Sequence, residues 1–213
     1  MMRRHAPWPP RSTPALLASV ADLAELGPAM AAADIIDLKN PSRGALGAWD
    51  LPRVVEAVRH VAGRRLVSAT VGDLPPRSDA LAPAARALAA AGVHVVKLGF
   101  FAAGDHRALA AALAPVAGEG VRLVAVLMAD QRPDLAVVPE LAAAGFWGVM
   151  LDTADKRSGS LRRHLDHGTL GRFVATAHDY NLICGLAGSL ALADIAPLAV
   201  LGPDLLGFRG ALC

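Results

Sequence analysis

Aromatic residues make up only 4% of this 213-residue chain, with a single tyrosine. That scarcity, together with the lack of a basic stripe interleaved with aromatics, argues against nucleic acid as a partner. The formal net charge is only +2, and much of the basic excess is local: Arg3, Arg4 and Arg11 lie in a Pro-rich N-terminal segment. Long apolar runs are missing as well. The longest stretch free of charge and histidine is the 14 residues 180–193, whereas a membrane-spanning helix needs about 20. Gly185, Gly188 and Ser189 interrupt it, so it reads as a buried strand with its loop. Pro7, Pro9 and Pro10 occupy the place where a secretion signal needs its apolar core, and a cytoplasmic location is expected. Cys184 and Cys213 give neither a disulfide framework nor metal-ligand spacing. Cys184 reads as a small buried hydrophobe. No His-x-x-x-His pair or Glu/His cluster points to a metal, and no Gly-x-Gly-x-x-Gly turn follows an early strand.

What the chain does have is alanine, and a spaced set of charges. Alanine supplies much of the 54% hydrophobic content and lets helices pack closely on a sheet, which favours an α/β fold. Lys39, Lys97, Asp152 and Arg209 each end a short apolar run, at intervals of 58, 55 and 57 residues. Such an interval holds about two strand–helix units of some 25–30 residues each. Four of them predict a TIM (β/α)8 barrel over 14–213 as one catalytic domain, after a flexible Arg/Pro-rich segment 1–13. Strands are expected at 15–20, 35–39, 66–72, 95–99, 121–128, up to 152, 182–187 and 205–209. Helices are expected at 22–33, 51–61, 78–91, 105–117, 139–144 and 170–180, with a short one after Ser189 and a polar loop over 153–168. The sequence stops soon after the eighth strand, so the last covering helix is expected to be absent. An uncovered last seam would favour a homo-oligomer or reduce stability.

The repeat puts the four charges on alternate strands, which feed the same layers of a barrel interior. They are expected to converge at the carboxyl-end mouth, where barrel enzymes keep their chemistry. Asp37 and Lys39 are two apart on a strand and point the same way. A lysine there can form a Schiff base once burial or a second cation lowers its pKa. Lys97 would be that cation, and either Asp37 or Asp152 could move protons; the plain alternative is a structural Lys–Asp pair. Lys156 is either a partner for Asp152 or a solvated loop charge. Gly188 and Ser189, after strand seven, either bind phosphate through backbone N–H groups or are turn and cap residues. Arg209 and Gly210 would complete that phosphate site. Asp73 stands between loop capping and substrate contact, and His178 reads as a structural helix residue. The expected partner is a small phosphorylated substrate, with no nucleic acid and no membrane.

Several stretches together resemble a known family: Asp34-Ile-Ile-Asp-Leu-Lys-Asn-Pro, Gly44-Ala-Leu-Gly-Ala, Val67-Ser-Ala-Thr-Val-Gly-Asp73, Val96-Lys-Leu-Gly99, Met150-Leu-Asp-Thr-Ala154 with Lys156, Ala187-Gly-Ser-Leu190 and Arg209-Gly-Ala. The chain is similar to the (5-formylfuran-3-yl)methyl phosphate synthases of methanofuran biosynthesis. The resemblance implies a class I aldolase-like barrel that condenses two molecules of glyceraldehyde 3-phosphate. It places the Schiff-base lysine at Lys39 and supporting catalytic residues at Asp37, Lys97, Asp152 and Lys156. It implies no cofactor and no metal. Two other readings remain: a Schiff-base aldolase acting on another sugar phosphate, and a non-catalytic or degenerate phosphosugar-binding barrel.

Overall fold

The structure, a computed structural model, describes residues 12–101 and 104–209. Eight strands form it: β1 (Ala15–Val20), β2 (Ile35–Leu38), β3 (Leu66–Thr70), β4 (Val95–Phe100), β5 (Leu123–Met128), β6 (Gly148–Asp152), β7 (Ile183–Leu186) and β8 (Leu205–Phe208). They pair in parallel in chain order, and β8 closes on β1, so the sheet is a barrel without edges. The TIM-barrel expectation holds. Between the strands run α1 (Leu26–Ala32), α2 (Leu51–Val61), α3 (Ser78–Ala90), α4 (His106–Gly118), α5 (Val138–Ala143), α6 (Leu161–His164), α7 (His167–Asp179) and α8 (Ile195–Ala199). No helix among the described residues is long and apolar enough to cross a membrane.

Strand alternation divides the core into two. Ile36 and Leu38 on β2, Leu98 on β4 and Leu151 on β6 face the helices and join one large cluster. Leu17, Ile35, Val124, Met150 and Leu205 point into the barrel and make the second. Both sides of a parallel barrel strand are buried, which is why these runs are apolar throughout. The charges are exceptions on the inward side, at its carboxyl end.

Most element ends fall within two residues of the sequence expectation, and several differences have a visible cause or a further consequence. The predicted helix 22–33 starts as a 3-10 turn (Leu23–Glu25), where Asp22 accepts from the Ala24 amide. Glu25 turns its carboxylate back to the Ala21 amide at 2.7 Å, and α1 begins only after it. The expected loop 153–168 contains α6, anchored by the fully buried Leu161, whose amide donates to the Gly188 carbonyl at 2.8 Å. The next helix, α7, begins at His167 rather than 170, because Asp166 caps it through the Thr169 amide. The fifth strand starts at Leu123 rather than 121. The N-terminal segment 1–11, Gly210 and the predicted absence of a closing helix after β8 lie outside the described residues.

Candidate active site

Five charges meet at the carboxyl end of the barrel. β2 ends at Leu38, and the Lys39 amide continues the ladder onto the Val20 carbonyl at 3.1 Å, so its side chain is held at the rim. Lys39 Nζ donates to Asp152 Oδ2 at 2.8 Å. The other oxygen of Asp152 accepts from Lys156 Nζ at 2.6 Å and from the Thr153 amide at 2.7 Å. Lys156 Nζ also donates to the Thr153 carbonyl. Deeper in the barrel, Lys97 Nζ reaches across from β4 to Asp37 Oδ2 at 2.6 Å. Asp37, Lys97, Lys39 and Asp152 are 0, 3, 5 and 5% exposed. Charges buried to this degree persist only when paired, and even then often cost more than they return.

Their protonation preferences split. Burial is the strongest influence on Lys39 and pulls its pKa down, but the carboxylates of Asp152 and Asp37 outweigh it and leave the pKa raised. The expectation that Lys97 and burial keep Lys39 partly neutral is therefore corrected: at rest Lys39 holds its proton. Lys97 goes the other way. Burial and the nearby Lys39 lower it, with Asp37 opposing. Lys156 is lowered by burial too, against the pull of Asp152. Asp152 is driven far below the usual carboxylate range because Lys39 and Lys156 together overcome its burial. Lys39 and Lys156 share one carboxylate yet shift oppositely, because Lys39 also feels Asp37 and Asp73 whereas Lys156 is pushed down further by the Lys39 ammonium.

These side chains open on a cavity of about 560 Å³ lined by Lys39, Lys97, Asp152 and Lys156, with Gly188, Ser189 and Arg209 on its far wall. Gly188 has φ +109° and Ser189 φ +48°, two successive residues in the left-handed region that bend the loop at the cavity wall. Among the described residues the N–H groups of Gly188, Ser189 and Leu190 have no acceptor. A Cβ on Gly188 would stand 2.9 Å from Thr153 Cγ2 and 3.0 Å from the Thr153 amide nitrogen, so only glycine fits against β6. The helix that follows offers less than expected: it opens as a 3-10 turn (Leu192–Asp194) whose Ala191 amide is already capped by Asp194.

Other sequence candidates sit differently. Asp37 does not reach the cavity; it lies one layer down, beneath Lys39 and Lys97. Arg209 lines the cavity but does not join the lysine cluster. Its guanidinium is turned to Glu25, at 3.0 and 3.4 Å, and to the Ser19 carbonyl. Asp73 caps a loop: it accepts from the Ala45 and Leu46 amides at 2.8 and 2.7 Å. Gly44, at φ +118°, passes so close that a Cβ would overlap that carboxylate. The clamp seats Leu46, fully buried, in the barrel interior. His178 pairs with Asp204 at 3.0 Å on the outer side of the barrel, the structural role expected for it.

Sequence reasoning missed four supporting residues. Ser19 and Ser68 both donate to Asp37. Asp130 accepts from the Ala154 and Asp155 amides at 2.9 and 2.8 Å and so fixes the loop that carries Lys156. Glu25 holds Arg209. Strand parity was the available signal for the serines: Ser19 shares a face with Leu17, and Ser68 with Leu66, where an apolar residue belongs. Among the described residues no group of three His, Cys, Asp or Glu side chains is placed to hold a metal.

Comparison with known proteins gives concordant results. The family model described as 4-HFC-P synthase matches residues 16–213. A protein of Methylorubrum extorquens, provisionally named a (5-formylfuran-3-yl)methyl phosphate synthase, is 43% identical over 201 residues, covering 94% of this chain and 83% of its own. The (5-formylfuran-3-yl)methyl phosphate synthase of Methanococcus maripaludis strain S2 is 36% identical over 211 residues, covering 93% of this chain and 89% of its own. Among solved structures, 3-hexulose-6-phosphate synthase from Salmonella typhimurium superposes with a TM-score of 0.67 at 19% identity, over 92% of this chain and 89% of that one. That last likeness is one of fold.

Proposed function

This chain belongs to the 4-HFC-P synthase family, and from that premise we propose that it condenses two molecules of glyceraldehyde 3-phosphate into (5-formylfuran-3-yl)methyl phosphate through a lysine Schiff base, for methanofuran-type cofactor biosynthesis in the cytoplasm. The observation that carries the reading is the cluster of three lysines and two aspartates, all but Lys156 buried, beside a cavity whose wall includes the Gly188–Leu190 loop with its N–H groups without an acceptor among the described residues. One residue set then has a role throughout. Gly188, Ser189 and Leu190 hold the retained phosphate by their free N–H groups, and Arg209 adds a cation at the edge.

Lys39 first gives its proton to a neutral Lys97, the amine whose pKa burial lowers, and attacks the aldehyde carbon. Lys97 returns the proton to the carbinolamine hydroxyl, which leaves as water, and an iminium forms on Lys39. Lys97, neutral again, removes the proton from the adjacent carbon to give an enamine. Asp152 is a poor base for that step because its two ammonium partners hold it ionised, and Asp37 does not reach the cavity. The enamine attacks the second aldehyde. Ring closure with further elimination makes the furan and expels the Lys39 amine, so that overall two trioses give the furan aldehyde phosphate, one inorganic phosphate and two waters; Lys156 at the rim is placed to protonate a leaving oxygen. The iminium is the electron sink, so the sequence of steps needs no further cofactor.

The test is turnover of glyceraldehyde 3-phosphate as the only substrate. Furan absorbance should rise with release of inorganic phosphate, one for every two trioses consumed. Turnover of a different sugar phosphate would move the chain to another aldolase reaction. Binding of the triose by folded protein without phosphate release would leave a phosphosugar-binding barrel. The cradle has its own test. Gly188→Ala forces a Cβ against Thr153 and a side chain into a strained φ, at a cost of about 1–3 kcal/mol. KM for the phosphorylated triose should rise by about tenfold, with trapping on Lys39 preserved at saturating substrate.

A further inference from the structure

Asp37 is the centre of a row that crosses the barrel floor. In the strand ladders Ser19 of β1 stands opposite Asp37 of β2, and Asp37 stands opposite Ser68 of β3. All three point inward, and the row is bonded edge to edge. Ser19 Oγ donates to Asp37 Oδ2 at 2.8 Å and Ser68 Oγ to Oδ1 at 2.7 Å. Lys97 Nζ makes the third bond, 2.6 Å to Oδ2. Ser68 is 1% exposed, on a barrel face where most of its neighbours are apolar.

We infer that Ser19 and Ser68 are positioning residues for the proton-transfer amine: by sharing the Asp37 carboxylate, they aim Lys97 at the cavity without letting Asp37 lock a proton onto it. The inference rests on the proposed Schiff-base reaction and adds to it two residues that act through Asp37, Ser68 from below the cavity and Ser19 from its wall. The physical argument is one of competition for a single anion. A buried lysine and aspartate alone at this distance would form a tight ion pair, with the ammonium favoured. Two hydroxyl donors on the same carboxylate spread its charge over three bonds, and each weakens the claim of the others. The charged groups facing Lys97 are then Asp37 on β2, Lys39 at the end of β2 and Asp152 on β6. With Asp37 shared, burial and the Lys39 ammonium prevail, in agreement with the downward shift of Lys97.

The sign of the test follows. Ser68→Ala removes one donor, concentrates the Asp37 charge on Lys97 and strengthens its hold on a proton. The acid limb of the pH–rate profile for glyceraldehyde 3-phosphate should move up by about one pH unit, the size of one hydrogen bond to a charged group. At neutral pH kcat should fall about tenfold with little change in KM, because Ser68 does not line the upper cavity. Ser19→Ala, at a half-buried position that tolerates truncation, should shift the limb the same way, and Ser68→Thr should restore it by returning the hydroxyl. Loss of thermal stability in both alanine variants with an unmoved acid limb would overturn the inference and leave the serines as ordinary buried partners. Wild-type trapping on Lys39 is the control. If it fails, the Schiff-base reading falls and this inference with it. If it succeeds and the limb stays in place, only this inference falls.

Discussion

Lys39→Ala should abolish borohydride trapping and lower turnover by about three orders of magnitude or more, the scale of removing a covalent nucleophile. Wild-type protein reduced in the presence of glyceraldehyde 3-phosphate should gain the mass of one reduced triose adduct, and peptide mapping should place it on Lys39. Two variants separate nucleophile from charge. Lys39→Arg keeps a cation beside Asp152 yet cannot form the iminium, so it should fold well and remain untrapped. Lys39→Ala leaves Asp152 paired only with Lys156, and a stability loss of about 3–5 kcal/mol is expected from the broken buried pair. The resting protonation of the cluster also supplies a definite second reading. Lys97 is the amine that burial pushes toward neutrality, whereas Lys39 is held charged. If the reduced adduct maps to Lys97 and survives in Lys39→Arg, then Lys97 is the nucleophile and Lys39 the acid. An adduct on neither lysine, in protein that still binds the triose, would sink the Schiff-base mechanism.

The barrel was legible because its repeat is written in two independent codes. Small-residue runs at helix ends, such as Ala89-Ala-Ala-Gly92 and Ala142-Ala-Ala-Gly145, mark the period, and the charges at Lys39, Lys97 and Asp152 mark the strand ends within it. Spacing placed those three at one mouth correctly, since a parallel barrel leaves little freedom about where a strand's last inward residue points. Arg209 has the same period but a different destination. The nearest anion to it is Glu25, which periodicity alone assigned to the first turn of a helix. Which lysine carries a proton was not legible at all. That depends on Asp152 being shared between Lys39 and Lys156, a contact between positions 113 residues apart in sequence for Lys39. Asp73 shows the same limit: only the approach of the Gly44–Leu46 backbone decides that its carboxylate holds a loop. Ser19 and Ser68 went unnoticed because serine in a strand is unremarkable until parity puts it inside.

Asp152→Asn should have the second largest effect, because one carboxylate serves both rim lysines. Asparagine keeps the shape and can still accept from the Thr153 amide, but the charge between Lys39 and Lys156 is gone. The buried Lys39 ammonium and the partly exposed Lys156 ammonium then lose the carboxylate between them. Apart from burial, Asp152 is the main influence on Lys39 and the main one raising it, so the Lys39 pKa should drop in the variant. Trapping on Lys39 should therefore set in at lower pH than in the wild type, even as complete turnover falls about 10²–10⁴-fold for want of an organised proton path. Stability should fall by about 3–5 kcal/mol near neutral pH, read from the denaturant midpoint. The pH dependence of that difference has a fixed sign. The folded-state pKa of Asp152 lies below its unfolded value, so its contribution is present above the unfolded carboxylate pKa and is lost as pH falls through that value toward the folded one. The gap between wild type and Asp152→Asn should close on acidification. A gap that is constant from neutral to acid pH would mean that the charge of Asp152 does not stabilise the fold, and Lys39 would then owe its raised pKa to Asp37 and Asp73 rather than to this pair.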